Sequence, residues 1–315
     1  MRFVVLGTSE FTINLARAVL ESGLALPALV SMPEHARPDN SADIAAFAKD
    51  NNVAYHEVEN INSAESLSLL TTLMPDYILC SWPKILQKEV LNIPRKYCIG
   101  THPTQLPFNR GRHPLHWIIV LGIRQTMLSF FHMDEGVDSG KLLIQVPVEI
   151  NLSDPIGKVV STVNGAAYHG TRLLCQRLVE NPSYDGIAQD QSLANHWRKR
   201  TPHDVTVDFR MPAASIVRTV LSFAPPYPCA RLIFGGHLIK IVDASIARLN
   251  LTNDELQRME PGKVISARGN KITVKAADQL VDLVLESNPP LELLAAKYIH
   301  PPSKYLSGSD TRLQG

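Results

Sequence analysis

The sequence predicts an α/β chain, a mostly parallel sheet with helices on both faces, followed by a smaller β-barrel-like domain. In the first half, short apolar runs alternate with segments whose apolar residues recur at helical spacing. In the last third, strand-like runs are set off by glycine turns. A length of 315 residues accommodates two such domains, and 45% hydrophobic with 19% charged residues is ordinary globular composition.

Taken in order, Phe3–Gly7 is an apolar run ending in glycine, as a buried parallel strand should be. Phe11–Ser22 carries Ile13, Leu15, Ala16, Ala18, Val19 and Leu20 at helical spacing. Ala25–Met32 reads as a strand, Ser41–Asn51 as a helix with Ser41 as its cap, and Ser63–Leu73 as a helix. Asp76–Trp82 and Tyr97–His102 are strands, Pro114–Leu121 a helix, and Met127–Met133 and Leu142–Ile150 strands. Asp154–Glu180 is a long amphipathic helix. Right-handed crossovers make this a Rossmann-like unit, with strand C-termini and any ligand along one edge.

Polar, turn-rich sequence then intervenes (NPSYDG, RKRTPHDVTVDF). The predicted organisation is a catalytic domain over 1–182, a linker over 183–208 and a β-rich, OB-like domain over 209–315. Within the last, Ala213–Phe223 is helical. Ala230–Phe234, His237–Val242, Gly262–Ala267, Lys271–Lys275 and Leu280–Leu285 are strands.

The formal net charge of +1 gives no electrostatic case for a protein that coats nucleic acid. Cys80, Cys98, Cys175 and Cys229 are scattered in apolar runs with no C-x-x-C pair, which reads as buried free thiols in a reducing compartment. The N-terminus is too short and too quickly charged for a signal peptide, and no long apolar run follows. A cytoplasmic protein is expected.

The G-x-G-x-x-G fingerprint of dinucleotide binding is absent, since Gly7-Thr8-Ser9 offers one glycine after the first strand. The densest run is Gly100 to Arg112, where a strand leads into two prolines, a glycine, two arginines and His102. Gly100 and His102 share one strand face. A histidine held at a strand C-terminus by a proline-stiffened loop suits a ligand crevice, and equally a structural histidine capping its own loop. Met133 to Gly140 (MDEGVDSG) follows another strand with three carboxylates. It is either a solvated acidic loop or the source of a carboxylate that orients an imidazole. His113, His116 and His132 lack metal-ligand spacing, so no metal site emerges.

The strings GTSEF, KILQKEVL (84–91), HPTQLPFNRGR (102–112) and MDEGVDSG (133–140) together resemble the folate-dependent formyltransferase family. RTPHDVTVDF, APPYPCA, KIVDA and PGKVIS are similar to the β-rich C-terminal domain of its tRNA and amino-sugar branches. The resemblance covers nearly the whole chain. It implies His102 and Asp138 as the catalytic pair. It also implies 10-formyl-tetrahydrofolate as formyl donor, with no metal. The donor pocket would be built from Trp82, Lys84, Ile85 and Leu86, with Leu106 and Met133, Asp134, Glu135 and Val137. Gly7, Thr8, Ser9, Phe11, Arg110 and Gly111 would lie beside the acceptor. The sequence departs from the family at Gly100, where an asparagine usually helps polarise the formyl carbonyl. Either His102 with water or a neighbour such as Asn109 takes over, or Gly100 makes room for a different acceptor.

The tRNA-directed branch carries a long basic insertion after its second strand, whereas residues 31–40 here (SMPEHARPDN) are short and nearly neutral. The resemblance therefore favours a nucleotide-linked amino sugar as acceptor, with methionyl-tRNA second and a hydroxyornithine-type amine third. A non-catalytic folate- or nucleotide-binding homologue is the reading from another class. Exposed strands of the second domain offer a route to a homodimer.

Overall fold

The computed structural model describes residues 1–249 and 251–305. It divides into two compact units. One holds residues 1–114, 125–149 and 160–198, and the other 115–124, 150–159 and the chain from Lys199 onward.

Up to Trp197 the elements are β1 (Arg2–Gly7), α1 (Glu10–Glu21), β2 (Ala25–Ser31), α2 (Ile44–Asp50), β3 (Ala54–Glu57), α3 (Ala64–Thr72), β4 (Tyr77–Ser81), α4 (Lys88–Leu91), β5 (Tyr97–His102), β6 (Arg110–Gly111), α5 (Pro114–Leu121), β7 (Gln125–His132), β8 (Leu142–Glu149), α6 (Ile156–Glu180) and β9 (His196–Trp197). Seven strands form one sheet in the order β3-β2-β1-β4-β5-β7-β8. The pairs from β3 through β5 are parallel, while β7 runs antiparallel to β5 and β8 antiparallel to β7. The central strands are apolar on both faces because both faces are covered, as in Phe3, Val4, Val5 and Leu6 of β1, all fully buried. One face packs Val4, Leu6, Val30, Ile78, Cys80 and Cys98 against Leu70, Trp82, Leu86 and Val90.

The structure corrects several local expectations. The cap of α2 is Asp43, whose carboxylate accepts from the Ala46 amide at 2.9 Å, not Ser41. β3 and α4 were not foreseen. β3 is an edge strand with the part-exposed sequence AYHE, and α4 spans only four residues, too few for a helical period to show. All four cysteines are free and buried, and burial pushes the Cys80 and Cys175 thiols up to about 11, so neither is a ready nucleophile.

In the second unit, α7 (Ala213–Leu221) is followed by β10 (Ala230–Phe234), β11 (His237–Ile246), α8 (Asn253–Gln257), β12 (Val264–Arg268), β13 (Lys271–Lys275), β14 (Leu280–Leu285) and α9 (Leu291–Leu294). The five strands are antiparallel in the order β10-β11-β14-β13-β12, so β10 and β12 stand at the two ends. Ile216 and Val220 of α7 join Ile239, Ile241, Ile272, Val274, Leu283 and Leu285 in its core. β11 continues to Ile246 rather than stopping at Val242, because the register against β14 shifts between Ile241 and Asp243. Asn250 and residues 306–315 of the expected 209–315 domain lie outside the described residues. No helix among the described residues is long and apolar enough to cross a membrane.

Candidate active site

Parallel register aligns the C-terminal ends of the central strands. Gly7 of β1 stands opposite Ser81 of β4, and Cys80 of β4 opposite Gly100 of β5. The 7–11, 82–86 and 102–111 segments therefore leave the sheet along one edge, as doubly wound sheets place their ligand crevices. The 133–140 loop instead follows antiparallel β7, whose last residue His132 stands opposite Ile99 of β5, and folds back to bring Asp138 to His102.

His102, the last residue of β5, is only 5% exposed. Its Nε2 lies 2.9 Å from the Asn109 carbonyl oxygen, and a carbonyl can only accept, so Nε2 carries a proton. Nδ1 faces Asp138 Oδ2 at 3.5 Å. The same carboxylate oxygen accepts from the Gly111 amide at 2.9 Å. Asp138 adopts φ +52°, a left-handed conformation that costs a non-glycine residue free energy and that the surrounding bonds must maintain.

The loop between His102 and Arg110 is tied from below. Ser129 Oγ donates to the Thr104 carbonyl at 2.6 Å and accepts from the Leu106 amide at 3.3 Å. Gln145 donates to the Leu106 carbonyl at 3.0 Å and to Ser129 Oγ at 2.8 Å. Thr104 Oγ1 donates to the Phe108 carbonyl at 2.9 Å. Asn109 exchanges bonds with Asn195. Its amide donates to Asn195 Oδ1 at 2.8 Å, and Asn195 Nδ2 donates to Asn109 Oδ1 at 3.0 Å.

Arg110 is buried, 3% exposed, and its guanidinium donates to Gln191 Oε1 at 2.9 Å and Gln189 Oε1 at 2.6 Å. That charge is thus held by two glutamines of the unit. Gly111, at φ +105°, pairs with Trp197 of β9, and a Cβ there would sit 2.4 Å from the Trp197 carbonyl oxygen. Gly100 is equally confined. A Cβ on it would meet Phe131 Cζ at 2.8 Å and Met133 Cγ at 2.9 Å. The space beside Gly100 is filled by its cross-strand partner Phe131 and by Met133.

On the neighbouring loop, Trp82 and Leu86 are buried while Lys84 and Ile85 are exposed, Ile85 at 80%. Asn62 clips this loop by donating to the Ile85 carbonyl at 3.0 Å and accepting from the Gln87 amide at 2.8 Å. The buried Trp82 Nε1 has no hydrogen-bond partner among the described residues. In the 133–140 loop Met133 is half-buried, and Asp134, Glu135 and Val137 are exposed. Asp134 Oδ1 caps the turn, accepting from the Gly136 amide at 3.0 Å and Ser139 Oγ at 2.8 Å. Glu135 reaches Lys88 of α4 at 2.9 Å. Leu106 is buried beside Ser129. Gly7 is wedged against Thr12 and Ser81, whose hydroxyls bond at 2.8 Å, with Thr8 buried and Ser9 and Phe11 half-buried at the start of α1.

The structure thus brings His102, Asp138 and Gly111 into direct contact, with Arg110 one residue behind. The Trp82–Leu86 loop follows β4, next to β5, and Gly7 to Phe11 follow β1, one strand further. Ser129, Gln145, Gln189, Gln191, Asn195 and Asn62 escaped the sequence reading. All are neutral polar residues in runs without motif character, and only their bonds single them out.

Residues 1–172 match the formyl transferase family model, and residues 199–290 match its C-terminal domain. The methionyl-tRNA formyltransferase of Pelotomaculum thermopropionicum is 29% identical over 281 residues, 87% of each chain. That of Lachnospira eligens is 26% identical over 281 residues, covering 87% of this chain and 88% of its own. Among solved structures, the N-formyltransferase of Helicobacter canadensis in complex with folinic acid and dTDP-3-aminofucose superposes with a TM-score of 0.65. At 12% identity, over 90% of this chain and 98% of that one, it shares the fold.

Proposed function

Since the chain belongs to the formyl transferase family, we propose that it moves a formyl group from 10-formyl-tetrahydrofolate to the amino group of a nucleotide-linked amino sugar. The observation that carries the chemistry is the buried His102, its Nδ1 facing Asp138 Oδ2 at 3.5 Å at the C-terminal edge of the sheet.

Formyl transfer requires a neutral amine, a donor for the tetrahedral oxyanion and an exit for the amine proton. Asp138 orients the imidazole and, with it, accepts the proton that the amine nitrogen loses as its bond to the formyl carbon forms. His102 Nε2, whose N–H is held by the Asn109 carbonyl in the resting protein, exchanges that partner for the oxyanion and then returns a proton to the folate nitrogen as the bond from that nitrogen to the formyl carbon breaks. General acid–base assistance of this kind is worth roughly 10²–10⁴ in rate, and holding both substrates together adds to it. The donor loop suits a heterocycle with amide-like edges. The exposed Lys84–Ile85 backbone rests on buried Trp82 and Leu86, and the Trp82 indole leaves one buried donor unpaired.

The sugar reading is supported by residues 31–40. Their sole Arg or Lys is Arg37, and its guanidinium is spent on the Met32 carbonyl at 2.6 Å, Tyr55 at 2.7 Å and Glu57 at 2.6 Å. That segment therefore offers no free cation to a phosphate backbone. The relative from Helicobacter canadensis was solved with dTDP-3-aminofucose. A methionyl-tRNA acceptor is the second reading, favoured by the names of the sequence relatives.

The deciding experiment gives purified protein 10-formyl-tetrahydrofolate with dTDP-3-aminofucose or with methionyl-tRNA and follows tetrahydrofolate release. Product with the sugar alone supports the proposal. Product with tRNA alone replaces the acceptor, and none with any amine tested leaves a folate-binding protein without turnover.

A further inference from the structure

We propose that Gln189 is a positioning residue for formyl transfer, a three-point clip that holds Asp138 against His102. The inference rests on the functional reading above and adds a residue from the polar stretch that follows α6.

Gln189 is 6% exposed. Its Nε2 donates to the Asp138 carbonyl at 2.9 Å and to the Gly140 carbonyl at 2.7 Å, and its Oε1 accepts from Arg110 Nη2 at 2.6 Å. The orientation of the carboxamide follows from the partners. A guanidinium can only donate and two carbonyls can only accept, so the oxygen must face Arg110 and the nitrogen the loop. Both amide protons and the carbonyl are thereby used inside the protein. The charge of Arg110 polarises the amide and strengthens the two bonds on its far side.

The position of those two bonds gives the clip its purpose. They seize the backbone on both sides of Ser139, immediately after the left-handed Asp138. A residue in that conformation drifts back towards the ordinary regions unless its neighbours hold it. Gln191 adds a second brace by accepting from Arg110 Nη1 at 2.9 Å. The Asp138 carboxylate then reaches both His102 Nδ1 and the Gly111 amide. Arg110 and Gly111 are consecutive, so one short strand carries the far anchor of the clip and the amide that receives the carboxylate. In this arrangement Arg110 acts through Gln189 rather than on the acceptor.

The test combines amide exchange with kinetics on Gln189→Ala and Gln189→Glu in the full chain. The glutamate pairs well with Arg110 but presents oxygens to two carbonyls, so it keeps the anchor and loses the clip. In both variants the Gly111 amide should exchange roughly tenfold faster or more. The Arg110 and Arg112 amides, bonded to the Asn195 and Trp197 carbonyls, should keep their protection. With whichever acceptor the dTDP-3-aminofucose and methionyl-tRNA assays identify, kcat per folded molecule should fall roughly 10- to 100-fold, while KM for the formyl donor stays within about threefold. Gln176→Ala, which removes an exposed glutamine of α6, should leave both readouts at parent values.

Unchanged Gly111 protection, equal loss at all three amides, or a kcat within about threefold of the parent in Gln189→Ala overturns the clip. Full turnover in Asp138→Asn overturns instead the catalytic reading on which it rests, so the two failures are distinguishable.

Discussion

The His102–Asp138 corner and the Trp82–Gln87 loop lie beside the adjacent strands β5 and β4, yet they are held in opposite ways. At the corner the reacting groups and the backbone that carries them are bound to protein. His102 Nε2 meets the Asn109 carbonyl, Asp138 meets the Gly111 amide, and Gln189, Gln191 and Asn195 brace the backbone behind them. The Trp82–Gln87 loop is pinned from below by two buried apolar side chains and at its rim by Asn62, and its Lys84 and Ile85 are exposed. A group that moves protons must be preorganised, because each degree of looseness is lost from the rate. On the proposed function the Trp82–Gln87 loop receives a planar ligand through its backbone, a task that needs only a firm floor.

The comparison is broken most sharply at His102. His102→Ala should lower kcat by roughly 10²–10⁴ with little change in thermal stability, because the loop below it keeps its ties to Ser129 and Gln145. Activity within tenfold of the parent in a folded variant would show that the pair is structural.

A second test concerns Gly100. Gly100→Asn places a side chain where Phe131 and Met133 already lie, and overpacking of this kind costs about 1–3 kcal/mol. We expect a lower urea midpoint with no gain in kcat. Combining Gly100→Asn with Phe131→Ala should recover part of the stability. A single variant as stable as the parent and faster would show that the cavity adapts and that an asparagine is simply missing.

The residues of this corner also mark what the sequence makes legible. His102, Asp138 and Gly100 stand in glycine- and proline-punctuated runs at strand ends, where one-dimensional pattern and three-dimensional edge coincide. The parallel core is legible because unbroken apolar runs such as VVLG and YILC have few other uses. The antiparallel turn of β7 is not, since both strand directions bury the same residues. The bracing residues are invisible for a stronger reason. Gln189 and Asn195 lie in polar sequence that reads as a linker, and their role exists only in bonds to residues 49 to 86 positions earlier. That Phe131 fills the space at Gly100 is likewise a fact of cross-strand register rather than of either residue.

At the weaker member of the comparison, Asn62→Ala removes both bonds from the rim of the Trp82–Gln87 loop. These bonds are solvent-exposed, so the cost to stability should be small, at most about 1 kcal/mol. The floor of Trp82 and Leu86 remains. The expected signature is a raised KM for the formyl donor with kcat nearly unchanged, as for a loss of uniform binding. A fall in kcat with KM unchanged would mean that this loop, too, is preorganised for chemistry.

The smallest effect is expected at His132, the residue from which the 133–140 loop departs. Burial holds its imidazole below the ordinary histidine value, opposed by Asp185 and Asp134 and reinforced by Lys141. Its ring lies 3.6 Å from that of Tyr97, centroid to centroid, and its Nε2 is 3.6 Å from Asp185 Oδ1. The folded protein therefore binds this proton less readily than the unfolded chain does. Stability from His132 is fully present above about pH 6.5, the unperturbed histidine value. It is lost as pH falls through that value towards the lower folded one, because there the unfolded state carries more protons. His132→Gln removes the titration, so the drop in Tm between pH 7.5 and pH 5 should be shallower in the variant than in the parent. Carboxylates such as Asp185, held low chiefly by Lys141, contribute to both curves and largely cancel in the difference. If the loop's departure point is as rigid as the corner it feeds, the steeper acid loss of the parent should be accompanied by faster exchange at the Met133 amide, which is bonded to the Cys98 carbonyl at 2.9 Å. Parallel Tm curves in parent and variant would show that the imidazole titrates without touching the fold.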